Sequence, residues 1–492
     1  MKTERETFAS RLGFLLVSAG CAVGLGNVWK FPYMCGQYGG AAFILIYLVF
    51  LVILGIPVMT CELAVGRASR QSCATSFKVL EKKGANTHQF GYFGMIGNYM
   101  LMMFYTMVAG WLLYYCFRSL RGDFMAEGLT VDDIGTMFGN MVSSWQTMTF
   151  WTIVIIVVAL GICGLGVRSG VEAITKYMMI ILFALILILA VHSVRLPGAG
   201  AGLAFYLVPD FRRMVDSGIG NVVFGALSQA FFTLSLGIGS IAIFGSYMEK
   251  KRSVTGESVM ITVLDTFVAI TAGLIVIPAC FAFGVDQTAG PSLIFITLPT
   301  IFHDMNGGQF WGTLFFLFMT FAALSTVVAV FENIVSFAID LAGWSRKKAV
   351  LVNIVLISVL SMPCILGFNV LANIQPLGEG TGIMDLEDFI VSNNLLPMGS
   401  LVYVLFSVTK RGWGWDNFLN EVNTGEGLKL SSALRTYMTY ILPVIIAAVY
   451  LKGYWDFFAG RTPGVRLAWM AVAVAFLALV VYLVFSGKRE QE

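Results

Sequence analysis

Residues 12–35 read LGFLLVSAGCAVGLGNVWKFPYMC. The run is long enough to cross a bilayer, which takes about 20 mostly apolar residues. Its middle, Gly20-Cys21-Ala22-Val23-Gly24-Leu25-Gly26-Asn27, disfavours a continuous helix. Each glycine costs a helix interior roughly 1 kcal/mol against alanine, and Asn27 places an amide at mid-depth. Glycines also serve close packing between membrane helices, so one such cluster decides little. A second cluster decides more: Phe232-Thr233-Leu234-Ser235-Leu236-Gly237-Ile238-Gly239 lies in the middle of another apolar run, 217–246, five spans further on. Helices broken at corresponding places in two halves of a membrane protein point to a binding site at mid-membrane. Unwound backbone is tolerated there because it lines a cavity instead of facing lipid.

The rest of the chain agrees. Of its 492 residues, 58% are hydrophobic and 12% charged, about half the usual charged share. Forty Phe, 24 Met and a mean hydropathy of +0.82 exceed what one soluble core can hide. A soluble enzyme, a disordered chain and a nucleic-acid-binding domain are excluded as the main reading. Twelve apolar runs are expected to span, near 12–35, 41–65, 90–117, 148–166, 171–192, 217–246, 258–284, 310–340, 349–368, 386–408, 434–452 and 467–485. They form one transmembrane domain, 1–492, among membrane lipids. With the N-terminus inside, inner segments and inner span ends hold 22 of the 31 Lys and Arg, and outer segments and span ends 8, Lys30 lying within span 1; the positive-inside rule selects that orientation. The C-terminus, with Lys488-Arg489, is then also cytoplasmic. Seven of the eight Cys lie in apolar stretches, and no Asn-x-Ser/Thr occurs. Both facts favour a bacterial inner membrane. The first run continues into a span, with no cleavage site evident. His88, His192 and His303 are far apart and show no metal spacing; no catalytic triad or phosphate loop stands out.

Gly20–Tyr33 resembles the first-helix signature of the neurotransmitter:sodium symporter family, in its bacterial amino acid transporter branch. Further segments match in family order: Gly55-Ile-Pro57 with Cys61–Gly66, Tyr105 with Ala109-Gly-Trp111, Gln229–Gly237, Ala322–Thr326 and Asp385–Phe389. The resemblance implies an all-α fold of two inverted five-helix repeats, 12–192 and 217–408, with helices 1 and 6 broken. Two peripheral helices follow, within 434–485.

It also implies two sodium ions. One is expected between the carbonyls of Gly20, Val23 and Ala322 and the hydroxyls of Ser325 and Thr326. The other is expected between the Ala22 carbonyl, the Asn27 amide oxygen, Thr233 and Asp265. An acid inside a span is costly and marks function by default, although a neutralised structural Asp265 is the plainer alternative. Chloride-dependent relatives hold the anion with residues matching Tyr47, Gln229 and Thr233, and with a Ser where this chain has Ala269. Opposite unit charges about 4 Å apart attract by roughly 4 kcal/mol at an effective dielectric near 20. Asp265 is therefore expected to stand in for chloride, which is not required.

Amine-transporting relatives carry an Asp where this chain has Gly24. A substrate here is expected to bring its own carboxylate, which favours an α-amino acid. Its carboxylate is expected at the N–H groups of Leu25 and Gly26, at a half-helix start where the dipole is positive, with the Tyr105 hydroxyl. Its ammonium is expected at the carbonyls of Ala22, Phe232 and Thr233, with Ser235. Cys21, Leu101, Tyr105, Phe232, Ile238, Thr326 and Val330 are expected around its side chain. Ile238 and Val330 are smaller than the Phe and Ile of a leucine-transporting relative, which leaves room for a bulky apolar or aromatic group.

Lys30 and Asp388 match the family's outer gate, where Arg is usual; Arg5, Tyr247 and Asp340 match the inner one. Glu62 and Glu332 are expected to support the machinery without touching ions. The function read from all this is sodium-coupled uptake of an apolar or aromatic L-amino acid by alternating access. A proton-coupled transporter or exchanger on the same scaffold, and a non-transporting amino acid sensor, are the alternatives.

Overall fold

The computed structural model describes residues 5–285 and 292–486; Lys488-Arg489 lies outside them. All twelve expected spans are helical. Ten are long, apolar and continuous: Ala41–Ser69, Thr87–Arg121, Trp145–Gly164, Val167–Val194, Val254–Phe283, Gly308–Ala342, Arg346–Leu366, Ile383–Val408, Ser432–Phe457 and Pro463–Phe485. These are spans 2–5 and 7–12. Span 1 is two helices, Arg11–Ala22 and Gly26–Gln37, bent by 58° across residues 23–25. Span 6 is Ile219–Thr233 and Ala242–Tyr247, with residues 234–241 outside helix.

The second break has a visible steric cause. Ser235, Gly237 and Gly239 have φ of 50°, 104° and 79°, the left-handed region that glycine enters without strain. A Cβ on Gly237 would lie 2.1 Å from the Leu396 carbonyl oxygen of span 10. The freed N–H groups need acceptors in a dry interior, and Glu62 of span 2 supplies them. Its carboxylate accepts from Gly237 N (2.8 Å), Ile241 N (3.1 Å) and Ala242 N (3.4 Å). Ile241 and Ala242 begin the second half-helix, so the negative charge also faces a favourable dipole.

Spans 8 and 10 are the most enclosed, with 83% of their apolar windows buried, against 28% and 22% for spans 11 and 12. The last two are therefore peripheral. The connections after spans 3 and 7 carry short helices of their own, Val131–Ser143 and the apolar Leu298–Asp304. The connection after span 10 carries Trp415–Asn423. All eight cysteines are free.

Candidate ion and substrate site

The break in span 1 leaves carbonyls without helical partners, and span 8 presses against them. Thr326 Oγ1 lies 3.0 Å from the Val23 carbonyl oxygen, 3.3 Å from that of Gly20 and 3.4 Å from that of Ala322. Ser325 Oγ donates to the Ala322 carbonyl at 3.0 Å. Gly20 permits the approach: a Cβ there would sit 3.2 Å from Ser325 Cβ. All five groups expected at one sodium thus meet around one point, and all are oxygen donors, which a hard cation requires.

The second group also converges. Asp265, fully buried, accepts from Asn27 Nδ2 at 2.7 Å and from Thr233 Oγ1 at 3.0 Å. The Asn27 amide is turned opposite to expectation. Its oxygen accepts from Gly24 N (3.0 Å), and its nitrogen faces the carboxylate. An amide between an N–H and a carboxylate satisfies both only this way round. Gln229, expected among chloride ligands, spends its amide nitrogen on the Gly26 carbonyl (2.8 Å). Ala269 is buried and offers no hydroxyl.

Between the breaks and the outer mouth runs a cavity of about 330 Å³. Ala22, Gly24, Leu25 and Gly26 line it from span 1, with Leu101, Tyr105, Phe232, Ser235 and Thr326. Tyr105 Oη accepts from Leu25 N at 3.1 Å. A Cβ on Gly24 would lie 2.5 Å from Tyr105 Oη and 2.8 Å from Thr326 Oγ1, so the cavity floor exists because residue 24 has no side chain.

The profile of the Sodium:neurotransmitter symporter family matches residues 5–128 and 129–486. The chain belongs to that family. It is a sodium-dependent membrane transporter, not an enzyme. An uncharacterised sodium-dependent transporter of Haemophilus influenzae is 30% identical over 91% of this chain and 98% of its own length. One of Bacillus subtilis is 32% identical over 90% and 97%. The crystal structure of MhsT in complex with L-phenylalanine has a TM-score of 0.80 at 36% identity, covering 91% of this chain and 99% of that one.

Other residues of the transporter depart from expectation. Cys21, Ile238 and Val330 do not line the cavity. Cys21 Sγ donates to the Ser240 carbonyl (3.7 Å), Ile238 packs against Val391, Leu395 and Leu396 of span 10, and Val330 is buried in span 8. Phe104 and Val108 line it instead, as do Met384, Val391, Ser392 and Leu396. The signal for the first pair was available: Leu101, Phe104, Tyr105 and Val108 fall at i, i+3, i+4 and i+7, one helix face. Met384, Asp388, Val391 and Ser392 fall at i, i+4, i+7 and i+8 on span 10, again one helix face.

Lys30 and Asp388 both line the cavity but form no ion pair within 4.0 Å. Lys30 Nζ lies 3.7 Å from the Phe232 ring centroid, and Asp388 accepts from Ser392 Oγ at 2.6 Å. The inner residues are joined. Arg5 Nη1 meets Asp340 Oδ1 at 2.5 Å, Arg5 Nε donates to Ser246 Oγ (3.2 Å), and its guanidinium lies 4.9 Å from the Tyr247 ring centroid. Tyr247 Oη donates to Glu332 at 2.6 Å. Arg346 takes both Glu332 oxygens, at 2.7 and 2.9 Å. Arg346 lies in the basic segment leading from span 8 into span 9, where its charge alone gives no sign of that pairing.

Proposed function

We propose that this transporter carries sodium and an apolar or aromatic L-amino acid inward together, independently of chloride, in the inner membrane of a bacterial cell, with both termini cytoplasmic. The observation that carries the reading is the cavity floor. Gly24 presents no carboxylate to an amine, while the half-helix start at Leu25 and Gly26 opens beside Tyr105. A substrate carboxylate there gains two N–H groups and a phenol, and lies beside the Asn27–Thr233–Asp265 group, where it completes a sodium shell. The cavity wall is apolar around Leu101, Phe104, Val108 and Leu396, which disfavours a charged side chain by desolvation. The match to a transporter crystallised with L-phenylalanine supports that class.

The repeats 12–192 and 217–408 supply one broken helix each, and their relative tilting exposes the site alternately. Each charge moved through 100 mV yields about 2.3 kcal/mol. Two sodium ions then sustain roughly a thousandfold gradient, at 1.4 kcal/mol per tenfold. Asp265 supplies the negative charge beside one sodium, and Ala269 leaves an anion one ligand short.

Binding of the twenty amino acids to the purified protein, with and without sodium, tests the substrate class. Sodium-dependent binding confined to apolar and aromatic L-amino acids is expected; tight binding of decarboxylated analogues would contradict the role of Gly24. Uptake is expected to be unchanged when gluconate replaces chloride. Asp265→Asn with Ala269→Ser is expected to make it chloride-responsive. Loss of uptake by the unmodified protein in gluconate would sink the chloride reading alone.

A further inference from the structure

The inner half of span 1, Arg11–Ala22, and the segment leading into it are tied to spans 5, 6, 7 and 8, and one tie differs in kind. Arg5 reaches Asp340 on span 8, and Arg11 reaches Glu257 on span 7 at 2.9 Å. Both are contacts between side chains, and the Arg11 side chain is 48% exposed. Glu172, at the start of span 5 and buried, grips backbone instead. Its Oε2 accepts from Ala9 N at 2.6 Å, and its Oε1 from Ser10 N at 3.1 Å and Ser10 Oγ at 2.9 Å. Ser10 Oγ in turn accepts from Gly13 N at 3.0 Å and so caps the helix. Gly13 makes room for the carboxylate, since a Cβ there would lie 2.0 Å from Glu172 Oε1.

The neighbouring contacts run the same way. Val167 N donates to Glu6 Oε2 at 3.0 Å, and Arg168 donates to the carbonyl and hydroxyl of Thr7 at 2.7 and 2.9 Å. A side chain pairing with another side chain can follow a moving helix by rotating. A carboxylate bonded to two successive backbone N–H groups at a helix entry cannot. Tilting this half-helix away from span 5 strips both bonds from a buried charge, which is costly.

We propose that Glu172 is the latch that keeps the inner half of span 1 docked, and that its release is a required step of inward opening. The inference rests on the alternating-access reading above. Glu172 acts on the position of span 1 and touches neither ion nor substrate.

The test uses the full chain in lipid nanodiscs with its eight native cysteines replaced. Ser18→Cys is the probe, because Ser18 is fully buried in that half-helix. Alkylation by a maleimide reads its exposure. The parent is expected to react slowly, and more slowly in sodium. Glu172→Gln keeps the size but loses the charge and one acceptor. Its sodium-free rate is expected to rise about tenfold, a population shift of roughly 1.4 kcal/mol, and saturating sodium is expected to bring it back down. Ser10→Ala, which leaves both N–H contacts, is expected to give a smaller rise, and Glu257→Gln to stay near the parent. Parent-like reactivity of Glu172→Gln overturns the latch, as does a raised rate that sodium cannot suppress, or an equal rise in Glu257→Gln. A parent indifferent to sodium fails the transport reading as well.

Discussion

The two mouths of the transporter both carry acidic and basic side chains and bond them differently. At the outer mouth a cation and a carboxylate face one cavity unpaired, Lys30 lying on the Phe232 ring and Asp388 held by Ser392. At the inner mouth the carboxylates are held by several donors. Asp340 accepts from Arg5 and from Ser72 N (2.7 Å), and Glu332 from Tyr247 and from both ends of the Arg346 fork. The difference lies in the donors. A guanidinium presents five N–H groups in a plane and serves a carboxylate and a hydroxyl together; an ammonium is a point charge that settles on a ring as readily as on an anion. The two arginines therefore hold their carboxylates through several bonds, while Lys30 makes no ion pair with Asp388 within 4.0 Å.

The largest effect is expected where the closed mouth is most buried. Arg346→Met leaves Glu332, whose side chain is 0% exposed, with Tyr247 as its remaining donor. Breaking one side of such a pair costs about 3–5 kcal/mol, read as a lowered unfolding temperature of the purified protein. Glu332→Met with Arg346→Met is expected to recover most of it. A drop below about 1 kcal/mol in the single variant would place this pair with weak surface pairs and remove the contrast between the mouths.

Gly24 stands between the two mouths. A methyl group at that position is too close to Tyr105 Oη and Thr326 Oγ1 to be absorbed without movement. Gly24→Ala is expected to weaken amino acid binding by at least tenfold, about 1.4 kcal/mol, and to raise the sodium it requires. Parent-like binding would show that the floor relaxes and that residue 24 does not set the substrate class. Arg5→Ala comes next. Asp340 keeps its bond from Ser72 N, so the inner mouth is weakened, not abolished. Binding is expected to fall by about tenfold and to return as sodium is raised, since a ligand that prefers the closed-inside state shifts the population back. A loss that sodium cannot rescue would mean that Arg5 holds the fold and not the gate.

The spans and both breaks were legible because hydropathy and glycine act locally. The cluster of oxygens around Thr326 was legible because its motif is short, contiguous and backed by carbonyls that a break must free. Side-chain direction inside a break was not. Ile238 lies between Gly237 and Gly239, both at positive φ, so no helical period fixes where it points, and it packs on span 10. Leu396 was passed over because an apolar residue on a membrane helix reads the same whether it faces lipid, a neighbour or a cavity. The turn of the Asn27 amide escaped for another reason: composition names the ligating residue, but hydrogen bonds to Gly24 and Asp265 choose the atom. Glu172 looked like an ordinary acid near a membrane boundary, because its partners are backbone groups that carry no residue signature.

The smallest effect is expected at the outer mouth, and it tests the donor argument most directly. Lys30→Arg restores the fork while keeping the charge. A guanidinium can stack on Phe232 and still donate to Asp388, so the two halves of the mouth gain a bond that lysine does not make. Asp388 remains bonded to Ser392, and both side chains are partly exposed, so the gain is limited. Partly solvated pairs contribute about 0–1 kcal/mol. Dissociation of bound amino acid toward the outside is expected to slow by about threefold, which is roughly 0.7 kcal/mol, at saturating sodium. Alkylation of Ser18→Cys is expected to stay at the parent rate, because the inner contacts are untouched. Unchanged dissociation would show that bonding between residues 30 and 388 does not govern the outer mouth. A changed Ser18→Cys rate would show that the two mouths are coupled more tightly than their separate bonding suggests.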